Sequence, residues 1–275
     1  MVEPVIAALE EVWASIAEAC RGIPAAAWDL PTDCPGWTVR DQLSHLVGIE
    51  RALLGEQPPP AGGADHPHVK NEFAAVNETW VEARRGRPGN EVLEELRSVT
   101  ARRSAALRAM TEEAFEEIGW SPVGQVPYRV FMEVRVFDCW VHEQDVRRAL
   151  GRPGGLGGAG EVITLERMAG AMPFVVGRKV APPDGTVVMW RVGGRDGRDG
   201  RAARQVVVVT EGGRGRALDA APPEPTVVLS MGSTTFWRLA CGRTTATAAL
   251  AAGEVAVAGD AGLGGRVLEA MAVTP

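Results

Sequence analysis

The chain has 275 residues, 45% of them hydrophobic and 23% charged. That composition provides for about two ordinary cores and excludes a disordered or fibrous polypeptide. Net charge is −6, which argues against general nucleic-acid binding because phosphate affinity rests on basic patches. No apolar run approaches the roughly 18–20 residues that span a bilayer. Glu3, Glu10 and Glu11 stand in the opening segment where an export signal would be basic, so a cytoplasmic location is expected. Of the 29 basic residues only Lys70 and Lys179 are lysine, a skew that reads as codon bias from a GC-rich genome. Cys20, Cys34, Cys139 and Cys241 are scattered without a C-x-x-C pair, and four reduced thiols are expected.

In chain order, the first stripe of helical period is Val5, Leu9, Val12/Trp13, Ile16 and Cys20. A second helix carries Val39, Leu43, Leu46/Val47 and Leu53/Leu54. Its start is marked by the Pro35-Gly36 turn, by Thr38 as N-cap and by Asp41 as a shortened capping box. A third region shows Phe73, Val76 and Trp80, then Val92, Leu96, Val99, Leu107 and Met110, interrupted at Gly86–Gly89. The fourth runs through Val130, Val134, Phe137 and Val141 to about Leu150. Together these predict an antiparallel helical bundle over residues 1–150. The pairs Glu94-Glu95, Glu112-Glu113 and Glu116-Glu117 read as solvated polar faces.

Residues 151–160, GRPGGLGGAG, hold six glycines and are expected to act as a flexible linker or long turn. The charge changes there too. Residues 1–150 carry 15 basic and 24 acidic side chains, a net −9, whereas residues 151–275 carry 14 and 11, a net +3. Beyond the linker the pattern is mixed, predicting a smaller α+β domain over 161–275. A helix over Val162–Val176 leads to strands at 186–192 and 204–211, joined by GGRDGRDG as a glycine-rich hairpin loop. A strand at 226–231 precedes a helix capped by Ser233, and a strand at 253–260 precedes a last helix, Ala261–Ala272. GGLGGAG and GDAGLGG are glycine-rich, but neither matches a dinucleotide or phosphate-loop fingerprint, and both read as linker and turn.

Chemistry concentrates on two helices. Asp138 and His142 are four apart and project from one helical face, and His45 flanks the Leu43/Leu46 stripe of the second helix. A carboxylate and two imidazoles can supply three ligands to a divalent metal and leave a fourth position open. The same spacing also fits a plain helical ion pair. His66 and His68 sit in a turn-rich segment and read as solvated. Cys34 lies near a helix N-terminus, but its sequence neighbourhood offers no histidine partner, and a structural cysteine is expected.

WDLPTDCPGWTVRDQLSHLVGIERALLG (28–55) and RVFDCWVHEQDVRRALGRPG (135–154) resemble the N-terminal signatures of the mycothiol-dependent maleylpyruvate isomerase family. The stretch from VVLSMGSTTFWRLACGR to GEVAVAGD is similar to the sterol-carrier-like domain that closes such proteins. The resemblance implies a DinB-like four-helix bundle followed by a sterol-carrier-like α+β domain. It implies a divalent metal, usually zinc, on His45, Asp138 and His142, the same trio that spacing singles out. It also implies mycothiol, a thiol of GC-rich actinobacteria, as cosubstrate acting on a small-molecule electrophile by isomerisation or S-transfer. One departure stands out: the family pattern has Glu where this chain has the shorter Asp138. Arg238 and Arg243, in the mildly basic second half, are candidates for binding acidic groups of substrate or cosubstrate. Two other readings stay open. One is a metal-dependent hydrolase that uses water without a thiol; the other is a non-catalytic, metal-stabilised binding or regulatory module.

Overall fold

A computed structural model describes residues 3–60, 66–193 and 204–274. The chain divides into two compact units, Met1–Thr164 and Leu165–Pro275. As expected from the two periodicities, helices make the first unit and a smaller α+β arrangement the second. Among the described residues no helix is long and apolar enough to cross a membrane.

Four helices enclose the core of the first unit: α1 (Pro4–Ala19), α2 (Val39–Leu53), α4 (Gly89–Arg108) and α6 (Tyr128–Ala149). Helices α1 and α2 each pack against both α4 and α6, while α3 (Glu72–Glu82) lies against α2. The apolar stripes drive this arrangement. Val5, Leu9, Ile16, Leu43, Leu46, Leu96, Val136 and Trp140 are all buried, and removing their apolar surface from water is the main force holding the bundle. Pro4 opens α1 at a position where no amide donor is needed. Thr38 caps α2 as the sequence suggests: it accepts from the Asp41 amide, and the Asp41 carboxylate accepts from the Thr38 amide at 2.9 Å.

Helix α3 departs from its predicted face. Phe73 and Val76 are exposed, and the buried face carries Asn77, Glu78, Trp80 and Val81 instead. A charged residue faces inward because Glu78 finds partners there. Glu95 departs similarly from its expected solvated surface. Its carboxylate accepts from Arg84 (2.6 and 3.1 Å), Arg87 (2.5 Å) and Arg51 (2.5 Å), tying α2 to α4. A short helix α5 (Glu112–Glu116) and an antiparallel hairpin, β1 (Ile118–Ser121) with β2 (Gly124–Pro127), precede α6; the helical stripes gave no sign of either.

The glycine-rich run is anchored on α6. Trp140 donates its indole N–H to the Gly155 carbonyl at 2.8 Å, and Gln144 donates to the Gly154 carbonyl. Gly155 has φ +68°, a backbone conformation that favours glycine, and its Cα packs closely on the Glu143 carboxylate. Helix α7 (Ala159–Phe174) follows, then a π-helical turn, Val175–Val180.

The second unit is built on one five-stranded sheet in the order β5-β4-β3-β6-β7. These strands are β3 (Val187–Val192), β4 (Arg204–Glu211), β5 (Arg214–Leu218), β6 (Val227–Met231) and β7 (Val255–Gly259). Only the β3–β6 pair is parallel. The first four residues of β3, Val187 to Trp190, are buried on both faces, which accounts for their unbroken apolar run, and Arg191 is exposed. β5 was not predicted from the sequence, and the GGRDGRDG loop lies mostly outside the described residues. Helix α8 (Ser233–Ala240) begins one residue differently from expectation. Gly232 is the N-cap, its carbonyl accepting from Phe236, so Ser233 is the first helical residue. Helices α9 (Ala246–Ala251) and α10 (Ala261–Ala270) complete the unit, with Asp260 capping α10. None of the four cysteines is in a disulfide, and Cys20, Cys139 and Cys241 are buried.

The Glu95 cluster sets an acid limit on the bundle. Burial works against its charge, but the three guanidiniums outweigh that penalty and hold the carboxyl at about 2, against 4.5 when unpaired. Its contribution is therefore present above pH 4.5 and lost as pH falls through 2. Glu95→Gln is expected to cost roughly 2–3 kcal/mol at pH 7, the deficit shrinking toward pH 2. Denaturant unfolding across that range is the measurement.

Candidate metal centre

The Pro35-Gly36 turn delivers Trp37 to the start of α2. The Trp37 carbonyl accepts from the Thr32 amide at 3.0 Å and from its hydroxyl at 2.8 Å. Gly36 has φ +80°, and the His68 ring packs so closely on it that a Cβ would collide. One turn into α2, Gln42 is buried, and His45 follows three residues later on the same face. From α6 come Asp138 and His142, again one turn apart.

These elements bring the three expected ligands together. His45 Nε2 lies 3.2 Å from Asp138 Oδ2, and His142 Nε2 lies 3.5 Å from Asp138 Oδ1. The two imidazoles meet edge to face with centroids 4.7 Å apart. Both histidines are buried, while the Asp138 side chain keeps 28% exposure, so the cluster is reached from solvent at the carboxylate. One ligand atom from each residue lies within 4.8 Å of the others, a spacing a single cation can bridge.

The surroundings suit a metal. His142 Nδ1 bonds to Gln42 Oε1 and lies 3.7 Å from Asp145 Oδ2, both acceptors, so the ring proton sits on Nδ1 and the Nε2 lone pair points to the cluster. Gln42 is oriented in turn, its amide nitrogen donating to Thr32 Oγ1 at 2.6 Å. Burial opposes the charged form of His142, yet Asp138 and Asp145 outweigh it and raise the pKa. Burial pushes His45 down to about 4, keeping it a neutral donor at neutral pH. Among the described residues the buried His45 Nδ1 meets no hydrogen-bond partner, so the ring is held by packing and by its Nε2 contact with Asp138. Burial also opposes the charge of Asp138, but Arg135, His45 and His142 together hold its carboxyl well below the usual range.

Trp37 roofs the pair of imidazoles, 5.0 Å from His45 and 5.7 Å from His142. Its indole N–H donates to Glu78 Oε2 at 2.9 Å. The same buried carboxylate meets His68 Nε2 at 2.9 Å, so His68 is held against the bundle rather than solvated as expected. His66, Glu78 and Glu82 form a second group with metal-ligand chemistry. Arg85 already supplies its positive charge, with Nη1 2.9 Å from His66 Nε2 and 2.5 Å from Glu82 Oε2. Arg238 and Arg243 stand at the end of α8, where Arg238 Nη2 donates to the Arg243 carbonyl and Arg243 Nη1 to the Cys241 carbonyl, both at 3.1 Å.

Sequence reasoning missed the residues behind the candidate ligands. Gln42, Trp37, Arg135, Glu50 and Asp145 all touch the trio or a residue bonded to it. A signal existed: Gln42, Arg135 and Asp145 are polar residues three positions from a ligand, on faces otherwise facing the core.

Residues 9–147 match the family described as mycothiol maleylpyruvate isomerase N-terminal domain, and residues 178–271 match the SCP-2 sterol transfer family. Among solved structures the chain is similar to the mycothiol-dependent maleylpyruvate isomerase, with 16% identity and TM-score 0.52 over 89% of this chain and 90% of that one. A mutant of that enzyme gives 16% identity and TM-score 0.55 over 94% and 93%. These likenesses show a shared fold. An uncharacterised Mycobacterium tuberculosis protein is 28% identical over 133 residues, 47% of this chain and 49% of the relative. The chain thus spans about half the length of the curated relatives it matches. The DinB-like and sterol-carrier-like expectations agree with these matches, and the chain belongs to the mycothiol maleylpyruvate isomerase N-terminal domain family, with an SCP-2-type domain following it.

Proposed function

We propose that the chain is a mycothiol-dependent enzyme whose His45, Asp138 and His142 hold a divalent cation, zinc above others, and that it acts on a small electrophile by isomerisation or S-transfer. The observation that carries the reading is the convergence of two imidazole Nε2 atoms on one partly exposed carboxylate, inside the family's domain. A bound cation supplies Lewis acidity that lowers the pKa of a coordinating thiol into the neutral range.

The protein residues prepare that chemistry. Gln42 and Asp145 fix the His142 tautomer, and Trp37 shields both imidazoles from water on one side. Asp138 is the open side, where a cosubstrate thiol has access. A thiolate added to a conjugated C=C turns it into a single bond free to rotate; expelling the thiolate completes a cis–trans isomerisation. Retaining the new C–S bond gives S-transfer. Within this reading Arg238 and Arg243 are the residues proposed to meet acidic groups of substrate or cosubstrate.

Metal analysis of the purified protein is expected to give one divalent ion per chain, lost in His45→Ala and in His142→Ala. Stoichiometric zinc in either variant would reject the assignment. Turnover of maleylpyruvate or a generic electrophile is expected to require mycothiol; equal turnover without any thiol favours a hydrolase. Gln42→Leu, which frees the His142 tautomer, is expected to weaken zinc binding roughly 10–100-fold with helix content unchanged, measured by chelator competition and circular dichroism.

A further inference from the structure

Asp138 is bound from behind as well as faced by histidines. Arg135, one turn earlier on α6 and buried, donates from Nη1 to Asp138 Oδ2 at 2.5 Å. The rest of its guanidinium faces Glu50, which is buried on α2. Nη2 and Nε reach Glu50 Oε1 at 2.7 and 3.2 Å. Glu50 Oε2 in turn lies 3.3 Å from Nε of the buried Arg103 on α4, whose Nη2 donates to the Tyr128 hydroxyl. Four charges of alternating sign thus run in a row through the bundle core, Arg103, Glu50, Arg135 and Asp138, and they sum to zero.

The row changes what Asp138 can offer a cation. An isolated aspartate presents a full negative charge and two equivalent oxygens. Here a guanidinium already shares that charge and occupies a lone pair of Oδ2, leaving Oδ1, which faces His142, as the stronger donor. Hard cations such as Mn²⁺ and Mg²⁺ are held by accumulated oxygens and their charge. A site with two imidazole nitrogens and one pre-neutralised carboxylate favours a borderline ion that binds nitrogen well.

We propose that Arg135, braced by Glu50 and Arg103, is a positioning residue that sets metal specificity by holding Oδ2 of Asp138 and sharing its charge, so that the centre selects zinc-like ions over oxygen-seeking ones. The inference rests on the metal-site reading above and adds to it the residue that makes the choice.

The experiment compares Zn²⁺ and Mn²⁺ affinities of the full chain and of Arg135→Gln, by chelator competition for zinc and electron paramagnetic resonance for manganese. Co²⁺ absorption reads the coordination number of each protein. In Arg135→Gln both Asp138 oxygens and their full charge become available. The Zn²⁺/Mn²⁺ affinity ratio is expected to fall roughly tenfold or more, with the Co²⁺ spectrum moving toward higher coordination. A folded variant that keeps the wild-type ratio overturns the proposal, whatever its catalytic rate. Should Arg135→Gln fail to fold, the paired Glu50→Gln/Arg135→Gln variant removes one charge of each sign, keeps the row neutral, and carries the same expectation. A wild-type chain that binds neither ion would reject the metal site itself, an outcome distinct from an unchanged ratio.

Discussion

Burying an ionised carboxylate in a helical bundle costs several kcal/mol unless a partner charge is buried with it. Glu50 is that carboxylate, and the neighbouring site depends on how its charge is met. Glu50 lies on α2, five residues after His45, and is closed off by guanidiniums from α4 and α6. Its two oxygens hold Arg103 and Arg135 in fixed places, and Arg135 passes that constraint to Asp138. The helices that carry His45 and His142 are therefore joined by ion pairs as well as by apolar packing. Apolar contacts of this kind are non-directional, whereas a row of paired charges fixes the register of α2 against α6.

Two layers of polar groups hold the His45, Asp138 and His142 cluster, and they work on different atoms. Gln42 and Asp145 act on a histidine, selecting which ring nitrogen bears the proton. Arg135 acts on the carboxylate, drawing charge from one oxygen. Trp37 contributes shape, with its ring against both imidazoles and its N–H held by Glu78. The His68 segment is tied to the same Glu78, and His68 packs on Gly36, so the roof of the site and the segment packed on it share one buried anchor.

Much of this was legible in the sequence because helical period and capping are local. The stripes through Leu9, Leu43, Leu96 and Val141 each mark a bundle helix, and Thr38 with Asp41 marks where α2 starts. The grouping of His45, Asp138 and His142 was legible through the i, i+4 spacing of Asp138 and His142 and through the signature segments. What stayed hidden depends on partners distant in sequence. Nothing local reveals that Glu78 turns inward on α3, displacing the stripe through Phe73 and Val76, because its partners are Trp37, His68 and Arg85. Glu95 looked like surface for the same reason, its Arg51 partner lying 44 positions away. The β1–β2 hairpin escaped because each strand has only four residues, too few for a period to show.

The arginine skew looks different once these contacts are known. On most of the surface a lysine-rich chain of equal charge would serve equally well. At Arg135 it would not. One guanidinium there spans two carboxylates on different helices, giving Nη1 to Asp138 while Nη2 and Nε face Glu50. A lysine ammonium is a compact point charge without that planar fork, and it sheds its proton more readily when buried. The short Asp138 fits the same logic. Having one methylene fewer than glutamate, it keeps its carboxylate close to α6, where the side chain of Arg135 one turn back can reach Oδ2. The short side chain of Asp138 and the buried arginine belong to one arrangement: a carboxylate held tightly from behind.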